Sequence, residues 1–87
     1  MEQPQNSRVG QETIVLVVDD NPAIRQVVAW SLKLGGYEPA EAANGLEAVR
    51  WIEQATRIKR YPSVILLDLA MPEMDGWSFM DWLQTTW

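Results

Sequence analysis

Two short apolar runs end directly in carboxylates, and this feature constrains the fold more than any other. The first run, Thr13–Val18, is followed by Asp19 and Asp20. The second run, Ser63–Leu67, is followed by Asp68. Short, almost entirely apolar runs are typical of strands that are covered on both faces of a parallel sheet. If these strands are neighbours, three acids meet at one edge of the sheet and repel one another, so the pattern predicts a metal site.

The rest of the chain alternates helical and strand patterns. Tyr37–Ala42 is a weaker strand candidate, and Pro39 within it predicts an edge strand. A helical pattern follows each strand, with apolar residues at helical spacing: Ile24, Val27, Val28 and Leu32; Leu46, Val49, Ile52 and Ala55; Phe79, Met80 and Leu83. The order β-α-β-α-β-α indicates an α/β fold with a parallel sheet and right-handed crossovers. In the flavodoxin-like strand order 2-1-3, ligands bind where the order reverses, between strands 1 and 3, and these are the strands that end in acids.

Composition excludes several classes of function. The chain has 87 residues and a net charge of −5, enough for one small domain and without a basic stripe for direct nucleic acid binding. Cysteine and histidine are absent, which excludes thiolate sites and favours a cytoplasmic location. No apolar run approaches the roughly 20 residues that membrane insertion needs. Residues 1–11 are polar and predicted to be a disordered tail, and residues 12–87 to be the domain.

The acid cluster predicts magnesium chemistry. Mg²⁺ prefers near-octahedral oxygen ligands and keeps several waters. Asp20 and Asp68 are the first-choice ligands, Asp19 binds directly or through water, and the backbone carbonyl of Ala70 is a further candidate. A metal here offsets the charge of an incoming phosphoryl group, so that an aspartate can attack phosphorus. Asp68 is the best nucleophile candidate, because its strand is expected to be central and a loop follows it.

Simpler interpretations of the same acids exist. Asp19 and Asp20 also suit the positive end of the first helix, where Asn21 is a good cap. Asp68 could be a turn former at a strand end, and Asp75 fits a turn or helix cap better than a ligand. The convergence of three acids at one predicted sheet edge favours the metal site.

The motifs resemble those of a known signalling family. Val17–Pro22 and Leu66–Gly76 are similar to the acidic-pair and phosphoacceptor motifs of response-regulator receiver domains in two-component signalling. Glu41–Ala48 resembles the junction between strand 2 and helix 2 of that family. The resemblance implies Mg²⁺ at the three acids. It also implies phosphorylation of Asp68 by a sensor histidine kinase or a histidine phosphotransfer protein, in a signalling module that is not an enzyme.

The chain departs from the family in its extent. Receivers have five β/α units, and the resemblance covers three, so a partial receiver without strands 4 and 5 is expected. The family's Ser/Thr at the end of strand 4 and its Lys at the end of strand 5 are then missing, and Thr85 and Thr86 follow Asp68 too closely to replace the Ser/Thr. Strand 3 would have an open edge, which predicts weak stability and self-association through that edge.

Two other functions remain as alternatives. The first is a truncated receiver remnant that acts only as a protein-interaction piece, without productive phosphorylation. The second is a magnesium-dependent phosphohydrolase. It is the weaker one, because Asp19-Asp20-Asn21 does not supply the Asp-x-Asp motif of the haloacid-dehalogenase type.

Overall fold

Strands and helices alternate along the chain in the order that the sequence predicts. The computed structural model describes residues 13–68 and 76–86. The elements are β1 (Ile14–Val18), α1 (Pro22–Leu34), β2 (Glu38–Ala42), α2 (Gly45–Ile58), β3 (Val64–Leu67) and α3 (Gly76–Thr86). Each strand begins one residue later than its apolar pattern suggests. The predicted tail, residues 1–11, and the predicted ligand Ala70 lie outside the described residues.

The three strands form a parallel sheet in the order β2-β1-β3, which confirms the expected flavodoxin-like arrangement. Strand β2 lies at an edge, where its proline is tolerated. In the described sheet β1 is the central strand and β3 pairs with β1 alone, so β3 has the open edge expected of a sheet without strand 4. The last residue of β1, Val18, is level with Ala42 of β2 and with Leu67 of β3. All three strands therefore end at one edge.

The main core lies between the sheet and the helices α2 and α3. Side chains alternate across a strand, so Leu16 and Val18 of β1 point to the same face. There they pack with Ile52 of α2 and Phe79 of α3, and each of these four side chains is at most 1% exposed. Phe79 also stacks on Trp82, with ring centroids 6.0 Å apart. This core fixes the face of the sheet opposite to α1.

The ends of α2 are built from local hydrogen bonds. Asn44 caps the helix, because its side chain accepts a hydrogen bond from the Glu47 backbone N–H at 2.9 Å. The Glu47 carboxylate in turn accepts from the Ala43 backbone N–H at 2.7 Å, which is close to a capping box. At the other end Lys59 adopts a left-handed conformation with φ of 57°. That backbone conformation favours glycine, so the helix ends in a strained residue.

Helix α1 buries only part of the apolar stripe that its sequence suggests. Val28 and Leu32 are partly buried, whereas Ile24 is 51% exposed and Val27 is 65% exposed. The buried residue of this helix is Ala29. Val64 and Leu66 of β3 are also exposed, at 45% and 41%. An apolar surface therefore runs along α1 and the adjacent part of β3. No helix in the described part of the chain is both long and apolar enough to cross a membrane.

Candidate metal centre

Three carboxylates meet at the carboxyl edge of the sheet, as the sequence predicts. Asp19, Asp20 and Asp68 each offer an oxygen, and these oxygens all lie within 4.8 Å of one another. Asp19 and Asp68 are partly buried, and Asp20 is exposed. Oxygens that bind one Mg²⁺ at about 2.0–2.1 Å lie at most about 4.2 Å apart. The three acids therefore lie near the spacing that one ion needs, and an all-oxygen donor set is what Mg²⁺ prefers.

The sheet ladder and the start of α1 together hold Asp19. Its backbone N–H donates to the carbonyl of Ala42 on β2 at 3.1 Å, which continues the ladder one residue past β1. Its carboxylate accepts a hydrogen bond from the Asn21 backbone N–H at 2.9 Å. Asn21 in turn caps α1 by accepting from the backbone N–H groups of Ala23 and Ile24. The simpler role proposed for this region, helix capping, belongs to Asn21, and the aspartate completes the turn before it.

Asp68 is placed by the pairing of β3 with β1. Its backbone N–H donates to the carbonyl of Val18 at 2.9 Å, so the ladder reaches the acid itself. A cavity of about 290 Å³ opens beside this residue between α1 and the ends of β1 and β3. The cavity is lined by Val17, Val18, Asp19, Val28, Leu66, Leu67 and Asp68. Two of the three acids therefore face an open, otherwise apolar groove from which a small group can approach.

An arginine that the sequence analysis did not single out lies next to the acids. Arg25 donates from Nη1 to the backbone carbonyl of Asp19 at 2.8 Å and from Nε to the Glu41 carboxylate at 3.1 Å. Its side chain is only 16% exposed. Helical side chains lean toward the helix N-terminus, so an arginine in the second turn can reach back to the strand end. That spacing was a usable signal, but the pairing with Glu41 depends on the tertiary structure.

Negatively charged side chains are clustered at this edge of the sheet. Asp19, Asp20 and Asp68 lie together, and the positive charge of the neighbouring Arg25 is paired with Glu41. A divalent cation is the natural counter-charge for such a cluster. The predicted ligand Ala70, like Asp75, lies outside the described residues. Thr85, which was not expected to take part in the site, donates a hydrogen bond from its hydroxyl to the Asp81 carbonyl within α3.

Fold and site together define a class of protein. Residues 15–87 match the family described as the response regulator receiver domain. This match covers most of the chain, and the parallel sheet with its acidic edge agrees with it. The chain therefore belongs to the response regulator receiver domain family, as the motifs predicted.

Individual proteins that resemble the chain agree with this family assignment. The chain is 40% identical over 67 residues to a probable transcriptional regulator, ycf27, of Pyropia yezoensis. It resembles the chemotaxis protein CheY4 of Vibrio cholerae, with a TM-score of 0.73 and 37% identity over 86% of this chain. It also resembles the response regulator TrrA of Thermotoga maritima, solved in complex with Mg²⁺-BeF, with a TM-score of 0.71 and 30% identity over 85% of this chain.

The chain matches only part of each of these proteins. The match covers 77% of this chain but 26% of the ycf27 protein. It covers 58% of the CheY4 chain and 60% of the TrrA chain. The described fold correspondingly contains three strands and three helices.

Proposed function

We propose that the chain is the phosphoacceptor module of a two-component phosphorelay, with Asp68 as the acceptor and Mg²⁺ as the cofactor. The observation that carries this proposal is the convergence of three carboxylate oxygens within 4.8 Å at the ends of two adjacent strands. Asp19, Asp20 and Asp68 would hold the ion, and the backbone carbonyl of Ala70 would be a further ligand. We also propose that residues 12–87 are the first three β/α units of a receiver domain.

The proposed reaction is a phosphoryl transfer to a carboxylate. An oxygen of Asp68 attacks the phosphorus of a phosphohistidine, a P–O bond forms, and the P–N bond to the imidazole breaks. The released imidazole nitrogen takes a proton from solvent. Mg²⁺ would offset the negative charge of the transferred group and hold it in line with the attacking oxygen. The open groove beside Asp68 gives the donor an approach to this oxygen.

The phosphoryl donor is a histidine outside this sequence. These 87 residues contain no histidine, so the phosphohistidine must lie outside them. A sensor histidine kinase or a histidine phosphotransfer protein in the cytoplasm is the partner that we propose. The relative of Thermotoga maritima solved with Mg²⁺-BeF supports both the metal and the group, because beryllofluoride has the size and charge of a phosphoryl group. The net charge of −5 argues against direct nucleic acid binding by this chain.

Intact-mass analysis tests this proposal directly. The chain is incubated with acetyl phosphate and Mg²⁺, and the expected result is the gain of one phosphoryl group. The gain should disappear when EDTA replaces Mg²⁺ and in the variant Asp68→Asn. Asp81→Asn is the matched control, because it removes a carboxylate on the exposed side of α3 and should leave phosphorylation intact. Equal modification of Asp68→Asn and of the unchanged chain would contradict the assignment, and no modification of either would favour the interaction remnant.

A further inference from the structure

One residue at the acidic edge, Asp19, is held by hydrogen bonds to three of its groups. The Asp19 backbone N–H donates to the carbonyl of Ala42, and the carboxylate of Asp19 accepts from the Asn21 backbone N–H. The carbonyl of Asp19 accepts from Nη1 of Arg25 at 2.8 Å. This carbonyl belongs to the peptide group that joins Asp19 to Asp20. The arginine therefore fixes the orientation of the link between two of the three clustered acids.

The arginine is itself well held. It lies in the second turn of α1, where its backbone N–H donates to the Asn21 carbonyl at 2.9 Å. Its Nε donates to Glu41, which lies next to the end of β2, and only 16% of the side chain is exposed. A planar guanidinium can serve two acceptors at fixed angles, which a lysine ammonium on a flexible stem cannot do. Arg25 thus connects α1, the end of β1 and the end of β2.

Arg25 can affect metal binding through its charge or through the peptide that it holds, and the two effects change the Mg²⁺ affinity in opposite directions when Arg25 is removed. If Arg25 acted only as a nearby positive charge, its removal would strengthen the binding of a cation to the carboxylates. If it acts by holding the peptide between Asp19 and Asp20, its removal lets both carboxylates move away from the geometry that one ion needs. Groups that orient metal ligands without touching the metal typically change metal affinity by about 10–100-fold when they are removed.

We propose that Arg25 is a positioning residue for the metal site, because its bridge between the Asp19 carbonyl and Glu41 sets the directions of the Asp19 and Asp20 carboxylates. This proposal rests on the metal site of the proposed function. It assigns no contact between Arg25 and the ion or the phosphoryl group. Its effect on the metal passes through the peptide that the guanidinium holds.

The test is a Mg²⁺ titration of the ¹⁵N-labelled 87-residue chain, followed through the backbone amide signals of the acids. Arg25→Met removes both hydrogen bonds and the charge. Arg25→Lys keeps the charge but not the planar fork. Arg60→Met is the matched control: it also removes an arginine paired with a glutamate of β2, Glu38, with the two groups 2.6 Å apart. That pair is at the start of β2, about 13 Å along the strand from the acidic edge at roughly 3.3 Å per residue.

We expect Arg25→Met to bind Mg²⁺ at least about 10-fold more weakly than the unchanged chain, and Arg25→Lys to lie between the two. Arg60→Met should bind Mg²⁺ as the unchanged chain does, because charges beyond about 10 Å are largely screened. Thermal unfolding in EDTA is measured in parallel. A loss of stability is expected in both variants, because each loses an ion pair. Positioning is supported if only Arg25→Met also loses Mg²⁺ affinity.

Three results would overturn the inference. Equal or tighter Mg²⁺ binding by a folded Arg25→Met shows that the residue acts by charge or not at all, and the metal site stands. If Arg25→Met does not fold, Arg25→Lys decides, and Lys binding as tightly as Arg refutes the bridge. If the unchanged chain binds no Mg²⁺, the metal site of the proposed function fails and the inference fails with it. Mg²⁺ binding without phosphoryl uptake leaves positioning in place and refutes only the phosphoacceptor role.

Discussion

Neutralising Asp68 should stabilise the fold when no metal is present. Two unit charges 4.8 Å apart repel by about 0.9 kcal/mol in water and by about 3.5 kcal/mol at an effective dielectric constant of 20. Asp68 faces two such neighbours, of which Asp20 is exposed and Asp19 is partly buried. None of the three acids is buried, so solvent and salt screen both pairs and the lower figure applies to each of them. We therefore expect Asp68→Asn to raise the free energy of unfolding by about 1–2 kcal/mol, which corresponds to roughly 5–10 °C in Tm for a domain of this size.

Urea unfolding followed by tryptophan fluorescence provides the measurement, once in EDTA and once in Mg²⁺. An ion at ten times its Kd adds about 1.4 kcal/mol to the stability of a chain that binds it. The unchanged chain should gain this amount, and Asp68→Asn should gain less because it has lost a ligand. The advantage of the variant should then shrink or vanish in Mg²⁺. Asp81→Asn controls for the loss of one charge elsewhere and should stay within about 0.5 kcal/mol in both buffers.

Two results would refute this reasoning. If Asp68→Asn is less stable than the unchanged chain in EDTA, the carboxylate stabilises the fold by its own contacts, and repulsion is not the dominant effect. If Mg²⁺ stabilises Asp68→Asn as much as it stabilises the unchanged chain, the ion does not bind at this edge. A change of the same size in Asp81→Asn would show that net charge, and not the cluster, sets the stability.

Other predictions concern local structure and association, and each has its own measurement. Asn44→Ala removes the α2 cap and should lower the free energy of unfolding by about 1 kcal/mol in urea titrations, with no change in phosphorylation. Lys59→Gly relieves a left-handed φ and should raise Tm, with a gain below about 1 kcal/mol because glycine also adds entropy to the unfolded chain. The 87-residue chain should self-associate in sedimentation velocity through the edge of β3, and Val64→Lys should shift it toward monomer because a charge on an edge strand opposes pairing. A compact monomer with a sharp thermal transition would contradict that expectation.

The alternation of elements and the acidic edge could be predicted because each depends on short stretches of sequence. An apolar run that ends in an acid specifies a strand and places the acid just past it. Crossover connections make the strands parallel, so all such ends fall on one side of the sheet. Asp19 and Asp68 met for this reason, although 49 positions separate them in the chain. For the two acids to lie together, β1 and β3 only had to be neighbours. The alternation of strands and helices and the right-handed crossovers leave few possible strand orders.

Features that depend on which elements pack together were not predictable in the same way. The helical spacing marks an apolar stripe on α1, but burial needs a partner, and in the described fold Ile24 and Val27 stay exposed while Ala29 is buried. The pattern records that these side chains suit an apolar contact and does not say which element provides it. Arg25 was missed for a related reason. Its spacing from Asp19 was a usable signal, but its pairing with Glu41 joins two separate elements and leaves no local trace in the sequence.

The register of β3 links the core to the chemistry. Ile65 and Leu67 pack against the core, while Val64 and Leu66 face the other side, so a slip of one residue would exchange the two sets. The same slip would move Asp68 along the strand axis by about 3.3 Å and break the hydrogen bond from its N–H to the Val18 carbonyl. Burial of two apolar side chains therefore opposes the one-residue slip that would separate the three acids. Because β1 and β3 each place an acid directly after the last core residue, the packing that stabilises the sheet also positions the metal site.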